Sequence, residues 1–301
     1  MTEKDFILPL HKFQTPFIIE EKAKAGEAMN YKRLACIGVG ALFGVFCYWQ
    51  NYGITTTSMV YHGQVPKAFD GCKIVQVADL QNTEFGRHNA KLIRKIEEAS
   101  PDIIVITGDL LDRNRTNVEI VMDFIYEIKQ LAPIYFVTGN HEHQSGEWDI
   151  LEEALVKAGV TILNNGKSVL EKDGDTITLM GLADKKVNPY YDRVLHTLMA
   201  EQQDSFNILL SHRPELFETY VDAGVDLAFT GHAHGGQIRI PLTGQAIFAP
   251  HQGFFPKYTQ GMHEKDGTVM IVSRGLGNST FPLRLFNRPE LIEVTLRAER
   301  E

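Results

Sequence analysis

The segment IIVITGDLLDR, Ile103 to Arg113, decides the fold. Its first five residues are all β-branched, a run short enough for a strand and apolar enough to be buried on both faces. It breaks at Gly108, and Asp109 then stands at the carboxyl end of the strand. The same order recurs along the chain. KIVQVA (Lys73–Ala78) runs into Asp79-Leu80-Gln81-Asn82, and IYFVT (Ile134–Thr138) into Gly139-Asn140-His141-Glu142. Ile208–Leu210 leads to Ser211-His212-Arg213, and Leu227–Thr230 to Gly231-His232-Ala233-His234-Gly235-Gly236.

Between the first strands, Ala90–Ala99 and Val118–Leu131 carry apolar residues at helical spacing, with Ile120, Phe124, Ile128 and Leu131 on one face. Strands alternating with helices predict an α/β core. Thr176–Leu182, Thr268–Val272 and Leu291–Leu296 read as strands without obvious intervening helices, and predict a second sheet packed on the first. Open α/β sheets hold their sites beyond the carboxyl ends of the strands. One strand-end Asp is most often a helix cap, and a lone His is most often a core or surface residue. Five strand ends in order, each supplying Asp, Asn, Gln or His, point to a shared site.

Composition narrows the function. The chain has 301 residues, 44% apolar and 23% charged, which excludes disordered, collagen-like and low-complexity architectures. Its 38 acidic residues outnumber 30 Lys and Arg for a net charge of −8, so no nucleic-acid partner is expected. Cys36, Cys47 and Cys72 make neither a disulfide framework nor a thiolate metal site.

LACIGVGALFGVFCYW, Leu34 to Trp49, is 16 residues without a charge, short of the ~20 usual for a spanning helix. Tyr48, Trp49 and Tyr52 match an interfacial aromatic belt, and the glycines Gly38, Gly40 and Gly44 are tolerated in membrane helices. Lys22, Lys24, Lys32 and Arg33 precede the run, whereas no Lys or Arg follows it before Lys67. The positive-inside rule then predicts a cytoplasmic segment 1–33 and a retained single-pass anchor 34–52 in the cell membrane. A polar, Thr-rich linker 53–67 follows, and a domain 68–301 on the extracytoplasmic side.

The order D-x-(H/Q), GD-x-x-DR, GNH(E), SH, GH-x-H resembles the calcineurin-like metallophosphoesterase superfamily, over about Phe69 to Leu296. Gly235-Gly236-Gln237, Ser273-Arg274-Gly275-Leu276-Gly277-Asn278 and Asn287-Arg288-Pro289-Glu290 resemble its membrane-associated bacterial branch. The resemblance implies a two-sheet α/β sandwich, here preceded by one transmembrane helix, and two adjacent divalent metal ions. Two such cations repel, and a carboxylate shared between them offsets the repulsion. By resemblance Asp109 is that bridge, with Asp79, Gln81 and His234 completing one site and Asn140, His212 and His232 the other. Oxygen and imidazole ligands suit Mn, Fe or Zn. Metals so placed would activate water to attack phosphorus. His141 resembles the family histidine that contacts the phosphoryl oxygen or protonates the leaving alkoxide. Asp112 is expected to orient a metal-ligating histidine, and Arg113 to pair with Asp112.

One position departs from the pattern: most members carry His where this chain has Gln81. A neutral amide oxygen is a harder and weaker ligand than imidazole for late transition metals. The expected function is therefore a membrane-anchored, metal-dependent phosphoesterase. Its tether suits a lipid-linked or cell-envelope phosphoester, such as a UDP-diacylglucosamine-type glycolipid. The alternative is a membrane-tethered metal-binding module whose catalysis is lost or weak because of Gln81. Oligomeric state is left open. His88 and His143 read as loop residues, and Arg213, Arg274 and Arg284 either as phosphate ligands or as solvated or salt-bridged side chains. HQGFFPKY (His251–Tyr258) reads equally as a substrate- or membrane-facing rim and as a satellite apolar cluster.

Overall fold

The computed structural model describes residues 16–202, 205–278 and 281–299. The elements run α1 (Pro16–Tyr52), β1 (Thr55–Gly63), β2 (Lys73–Val77), α2 (Ala90–Ala99), β3 (Ile103–Ile106), α3 (Val118–Ile128) and β4 (Ile134–Phe136). Next come α4 (Asn140–Ser145), α5 (Trp148–Ala158), β5 (Thr161–Ile162), β6 (Gly166–Lys172), β7 (Asp175–Gly181), α6 (Tyr191–Ala200) and β8 (Phe206–Leu210). Then follow α7 (Phe217–Ala223), β9 (Leu227–Thr230), β10 (Phe248–Ala249), β11 (Gly253–Phe254), β12 (Gly261–Lys265), β13 (Thr268–Val272) and β14 (Glu290–Ala298).

Among the described residues two six-stranded sheets form, ordered β1-β14-β2-β3-β4-β5 and β12-β13-β9-β8-β7-β6. Within each, the strands that end in the motifs are parallel neighbours: β2, β3 and β4 in the first, β8 and β9 in the second. Alternate residues of one strand enter different layers. Ile104 and Ile106 face α2, α3 and α5, while Ile103 and Val105 meet Ile177, Ile208 and Phe229 of the other sheet. Leu209 of β8 points outward again, into a layer with Leu195 and Leu198 of α6 and Tyr220 of α7. The result is a helix–sheet–sheet–helix sandwich, and it explains why the motif strands are apolar at nearly every position. A buried polar link crosses between the sheets: Gln76 Nε2 on β2 donates to Thr107 Oγ1 and to the Thr230 carbonyl, both at 2.9 Å. Burial makes that pairing costly to break, and it sets the ends of β2, β3 and β9 side by side.

The chain divides into two units, Met1–Phe46 and Cys47–Glu301. Of the expected cytoplasmic segment 1–33, residues 1–15 lie outside the described residues, and Pro16–Arg33 is helical, continuous with the apolar run in α1. Asn30–Tyr52 is long and apolar enough to cross a membrane, at 23 residues and mean hydropathy 1.4. The stretch read as a linker, 53–67, is a strand over most of its length. β1 pairs in parallel with β14 from Thr55↔Glu290 to Gly63↔Ala298. It is an edge strand whose outward residues Ser58, Val60 and His62 meet solvent while Tyr61 is buried. Such half-solvated alternation resembles a polar connection in sequence.

Candidate metal centre

The five loops meet at one point because each leaves a parallel strand at its carboxyl end. The turns are tight: Asp79, Gln81, Asp109, His232 and His234 all adopt positive φ, between 47° and 62°. Side chains rarely occupy this region, and strain of this kind concentrates at functional sites. Two glycines permit the close approach. A Cβ on Gly139 would lie 2.2 Å from Asp109 Oδ1, and one on Gly231 would lie 2.7 Å from Asp79 Oδ2.

All seven residues expected as ligands converge, and five of them form two overlapping acid–imidazole groups. Asp109, His212 and His232 make one group; Asp79, Asp109 and His234 make the other; Asp109 belongs to both. Asp109 Oδ2 lies 3.2 Å from His212 Nε2, which lies 3.1 Å from His232 Nδ1. His234 Nε2 is 3.5 Å from Asp79 Oδ1. Gln81 places its amide nitrogen 3.3 Å from His234 Nε2 and 3.4 Å from Asp109 Oδ2. Its Oε1 is buried with no hydrogen-bond partner. A half-turn of the amide exchanges the two atoms and turns that orphan oxygen into the cluster. Asn140 heads α4, and its Oδ1 accepts from Arg213 Nη2 at 3.4 Å.

The electrostatics suit a cation. Burial raises the Asp79 carboxyl to about 7, with His212 pulling it down and Asp109 pushing it up. Burial, then the charge of Arg284, drives His234 down to about 3. Burial, His212 and Arg213 likewise drive His232 far down. Neutral imidazoles are the form that binds metal. On His212, burial opposes a charge, but Asp109, by charge and hydrogen bond, outweighs it and lifts the ring to about 10. His212 Nδ1 lies 2.8 Å from the Thr107 carbonyl, which only accepts, so this nitrogen carries a proton and Nε2 faces the acids. A second proton on His212 is one way to balance two buried carboxylates; a divalent cation among the same atoms is the other. The donor set, carboxylate, amide and imidazole without thiolate, fits divalent ions such as Mn, Fe or Zn.

His141 sits beside these groups, with its Nε2 4.0 Å from Asp109 Oδ2. Its backbone N–H donates to Asp109 Oδ1 at 2.7 Å, and its Nδ1 accepts the N–H of Arg113 at 3.2 Å. The expectation for Asp112 needs correction. Its carboxylate accepts from the Arg115 guanidinium at 2.7 and 3.0 Å and from the Asn114 N–H at 2.8 Å. The contact with an imidazole in this loop comes from the backbone of Arg113, because the turn at Asp112 aims that N–H at His141. The Arg113 side chain reaches Gln144 and lines the cavity.

Several site residues carry no distinct signal in the sequence. Glu142, wholly buried, accepts backbone N–H groups of Asp109, Gly139 and Leu111 at 2.8, 2.7 and 3.1 Å, tying the β3 and β4 loops together. Its Gly-Asn-His-Glu context is the one cue to it. Asp184 pairs with Arg213 through Nε and Nη2 at 2.6 and 3.0 Å. Arg213 Nη1 lies 2.7 Å from His232 Nε2 and 2.9 Å from His251 Nδ1. Arg274 is held by Glu290 at 2.9 Å, and Arg284 is buried on the carbonyls of Gly277 and Arg274. His88 lies 3.8 Å from Asp123, and His143 packs on Trp148. HQGFFPKY divides between buried and exposed aromatics. Tyr258 is buried against Phe217, while Phe254 and Phe255 are exposed. A cavity of about 690 Å³ opens onto the cluster, with Asp109, His141, Arg213, His234 and His251 among its walls and Lys185 and Lys186 at its edge.

The family model of calcineurin-like phosphoesterases matches residues 72–236. The chain is 32% identical over 266 residues to the uncharacterized metallophosphoesterase YkuE of Bacillus subtilis, covering 86% of this chain and 91% of that one. It is 30% identical over 203 residues to phosphodiesterase YaeI of Escherichia coli, covering 66% and 72%. It is 26% identical over 246 residues to a Danio rerio transmembrane protein with metallophosphoesterase domain, covering 78% and 55%. With its strand-end motifs gathered at one cavity and the family model spanning more than half its length, the chain belongs to the calcineurin-like phosphoesterases, hydrolases of phosphoric esters.

Proposed function

We propose that this protein is a membrane-anchored phosphoesterase in which seven side chains hold two divalent ions. Asp109 is the shared ligand. Asp79, Gln81 and His234 complete one site, and Asn140, His212 and His232 the other. The observation that carries this reading is the pair of overlapping acid–imidazole groups with Asp109 common to both. When bound, the two ions would neutralise phosphoryl oxygens and acidify a water for in-line attack on phosphorus.

The protein's own groups do the rest. His141 Nδ1 is taken by the Arg113 N–H, so the proton of the neutral ring sits on Nε2, on the side facing Asp109. That N–H donates to a phosphoryl or leaving-group oxygen, where charge develops. Asp112 and Arg113 act by shaping the loop that aims His141. Arg213, held by Asp184, backs His232 and Asn140. Lys185 and Lys186 at the cavity edge favour an anionic substrate.

The apolar stretch read as residues 34–52 anchors the chain, with residues 1–33 in the cytoplasm and the catalytic domain on the extracytoplasmic side. The run of Lys and Arg before the stretch supports that orientation, and the name of the Danio rerio relative accords with an anchor. The tether keeps the site within reach of phosphoesters held in the same membrane, the UDP-diacylglucosamine type among them.

The deciding assay uses the full chain with Mn²⁺ on an aryl phosphodiester and an aryl phosphomonoester. Turnover that disappears in Asp109→Asn supports the enzyme. A metal-loaded protein silent on both esters would instead favour a binding module disabled at Gln81.

A further inference from the structure

Beside the metal cavity lies a second, smaller recess of about 270 Å³ with a different chemistry. Its walls include Ala233, Ile238, Ile247, Phe248, Pro250 and Phe281, and it shares His234 and Pro250 with the larger cavity. An apolar groove therefore borders the cluster that would meet the phosphorus, with His234 in the walls of both cavities.

The groove is set in an exposed apolar platform. From Ile240 to Pro256, 17 residues contain no Asp, Glu, Lys or Arg, in a chain that is 23% charged. Leu242 is fully exposed, and Phe254 and Phe255 are 73% and 66% exposed. Phe248, Phe281 and Phe286 are each about half exposed. The arginines within these loops turn inward: Arg239 is buried on the Gly235 carbonyl and Arg284 on the Gly277 carbonyl. The two loops of the platform are joined, Arg239 N–H donating to the Leu285 carbonyl at 3.1 Å and Gln237 Nε2 to the Phe281 carbonyl at 2.8 Å. Exposed apolar side chains this numerous on two joined loops mark a surface that meets another apolar phase.

The point at which the chain enters this unit says which phase. Asn51 Oδ1 accepts the N–H of Arg284 at 2.8 Å, and Gln50 Oε1 that of Asn287 at 3.2 Å. Trp49 stacks on the Arg288 guanidinium at 4.5 Å. The apolar helix thus ends on the loop that carries Phe281 and Phe286, so a membrane crossed by that helix is left beside the platform. Exposed Phe and Leu next to such an exit suit an interfacial position.

We infer that the groove holds a hydrocarbon chain of a membrane lipid while its phosphoester reaches the metal cavity. This rests on the phosphoesterase reading above and deepens it: the groove is the subsite that would seat the chain of a lipid phosphoester drawn from the bilayer in which the helix sits. The Phe and Leu platform lies in the interface, and the uncharged groove takes the first methylenes next to the head group.

The test uses the full chain in phosphatidylcholine nanodiscs with Mn²⁺ and p-nitrophenyl phosphodiesters carrying a methyl or a butyl chain. Wild-type kcat/KM should rise by about fourfold for each added methylene. In Phe248→Ser/Phe281→Ser the butyl-to-methyl ratio should collapse. Partition into the disc is common to both proteins, so the difference between them reads the groove. Equal ratios in the two proteins overturn the inference and leave the phosphoesterase intact. A second readout needs no turnover: a spin-labelled alkyl phosphate should be immobilised by the wild type and tumble freely with the double variant. Free tumbling with both overturns the inference, whereas immobilisation without hydrolysis of any ester supports the groove and overturns the enzyme. A concentration-dependent change in sedimentation abolished by the double variant, with equal ratios, would overturn it in favour of contact between copies of the chain.

Discussion

The backbone N–H of His141 donates to Oδ1 of Asp109 at 2.7 Å. One carboxylate oxygen is thereby committed, and the other, Oδ2, faces both halves of the cluster, 3.2 Å from His212 Nε2 and 3.4 Å from Gln81 Nε2. The same bond places the His141 ring beside the shared ligand. Positioning of the proposed shared acid and of the proposed Nε2–H hydrogen-bond donor is thus one structural event, the start of α4.

Because the His141 ring meets the cluster without belonging to either acid–imidazole group, its removal should separate chemistry from metal binding. His141→Gln is expected to lower kcat by about 10²–10⁴-fold with metal content unchanged. Metal analysis alongside steady-state kinetics checks this, and parallel losses would make His141 a ligand.

Gln81 sets the character of its half-site. Gln81→His replaces a proposed hard oxygen ligand with imidazole, and retention of Zn²⁺ relative to Mn²⁺ should rise. Competitive loading of the two metals, read by elemental analysis, would show the change. Unchanged preference would mean that residue 81 makes no direct contact with metal.

Gly139 has no room for a side chain. Gly139→Ala would press a Cβ against Asp109 Oδ1, only 2.2 Å away. A clash with a buried, packed carboxylate costs about 1–3 kcal/mol. The thermal midpoint should fall, and bound metal with it, since the carboxylate that moves is the shared one. A variant that keeps both its midpoint and its metal would contradict this.

Asp184 carries a pH signature. Burial opposes its ionisation, but the hydrogen bond and charge of Arg213, with His212, hold its carboxyl below the ordinary carboxylate range. A depressed acid contributes stability above its unfolded-state value and loses it as pH falls through the folded one. Removing it leaves the buried guanidinium only the longer pairing with Glu215 at 3.6 Å, at a cost of about 3 kcal/mol at neutral pH. Asp184→Asn should therefore be much less stable than wild type at pH 7, with the gap narrowing below pH ~4. Denaturant melts across that range measure it, and a constant gap would contradict the pairing.

Legibility from sequence follows burial. β2, β3, β4, β8, β9 and β13 are readable because both faces are covered and nearly every residue is apolar. The periodicity places α2 from Ala90 to Ala99 at both ends, whereas α3 stops at Ile128, three residues short of Leu131. β1 and β6 lie at sheet edges, where half the residues meet water, so TTTSMVYHG and GKSVLEK carry no strong apolar signal. The sequence reading omits α5, α6 and α7 although their inward faces (Leu151 and Leu155, Leu195 and Leu198, Phe217 and Tyr220) are buried.

The candidate ligands Asp79, Gln81, Asp109, Asn140, His212, His232 and His234 are legible because each stands where a parallel strand ends, a position set by local chain order. Glu142, Asp184 and His251 are not. Their roles depend on which backbone amide, guanidinium or imidazole lies across the fold, and no spacing along one chain encodes that. The sequence alone determined the layered α/β architecture, since apolar runs of strand length demand cover on both faces. Only the tertiary structure decided that an apolar groove lies beside the acid–imidazole cluster and that Gln50 and Asn51 end on the loop carrying Arg284 and Asn287, because both are made by loops distant in sequence and irregular in conformation.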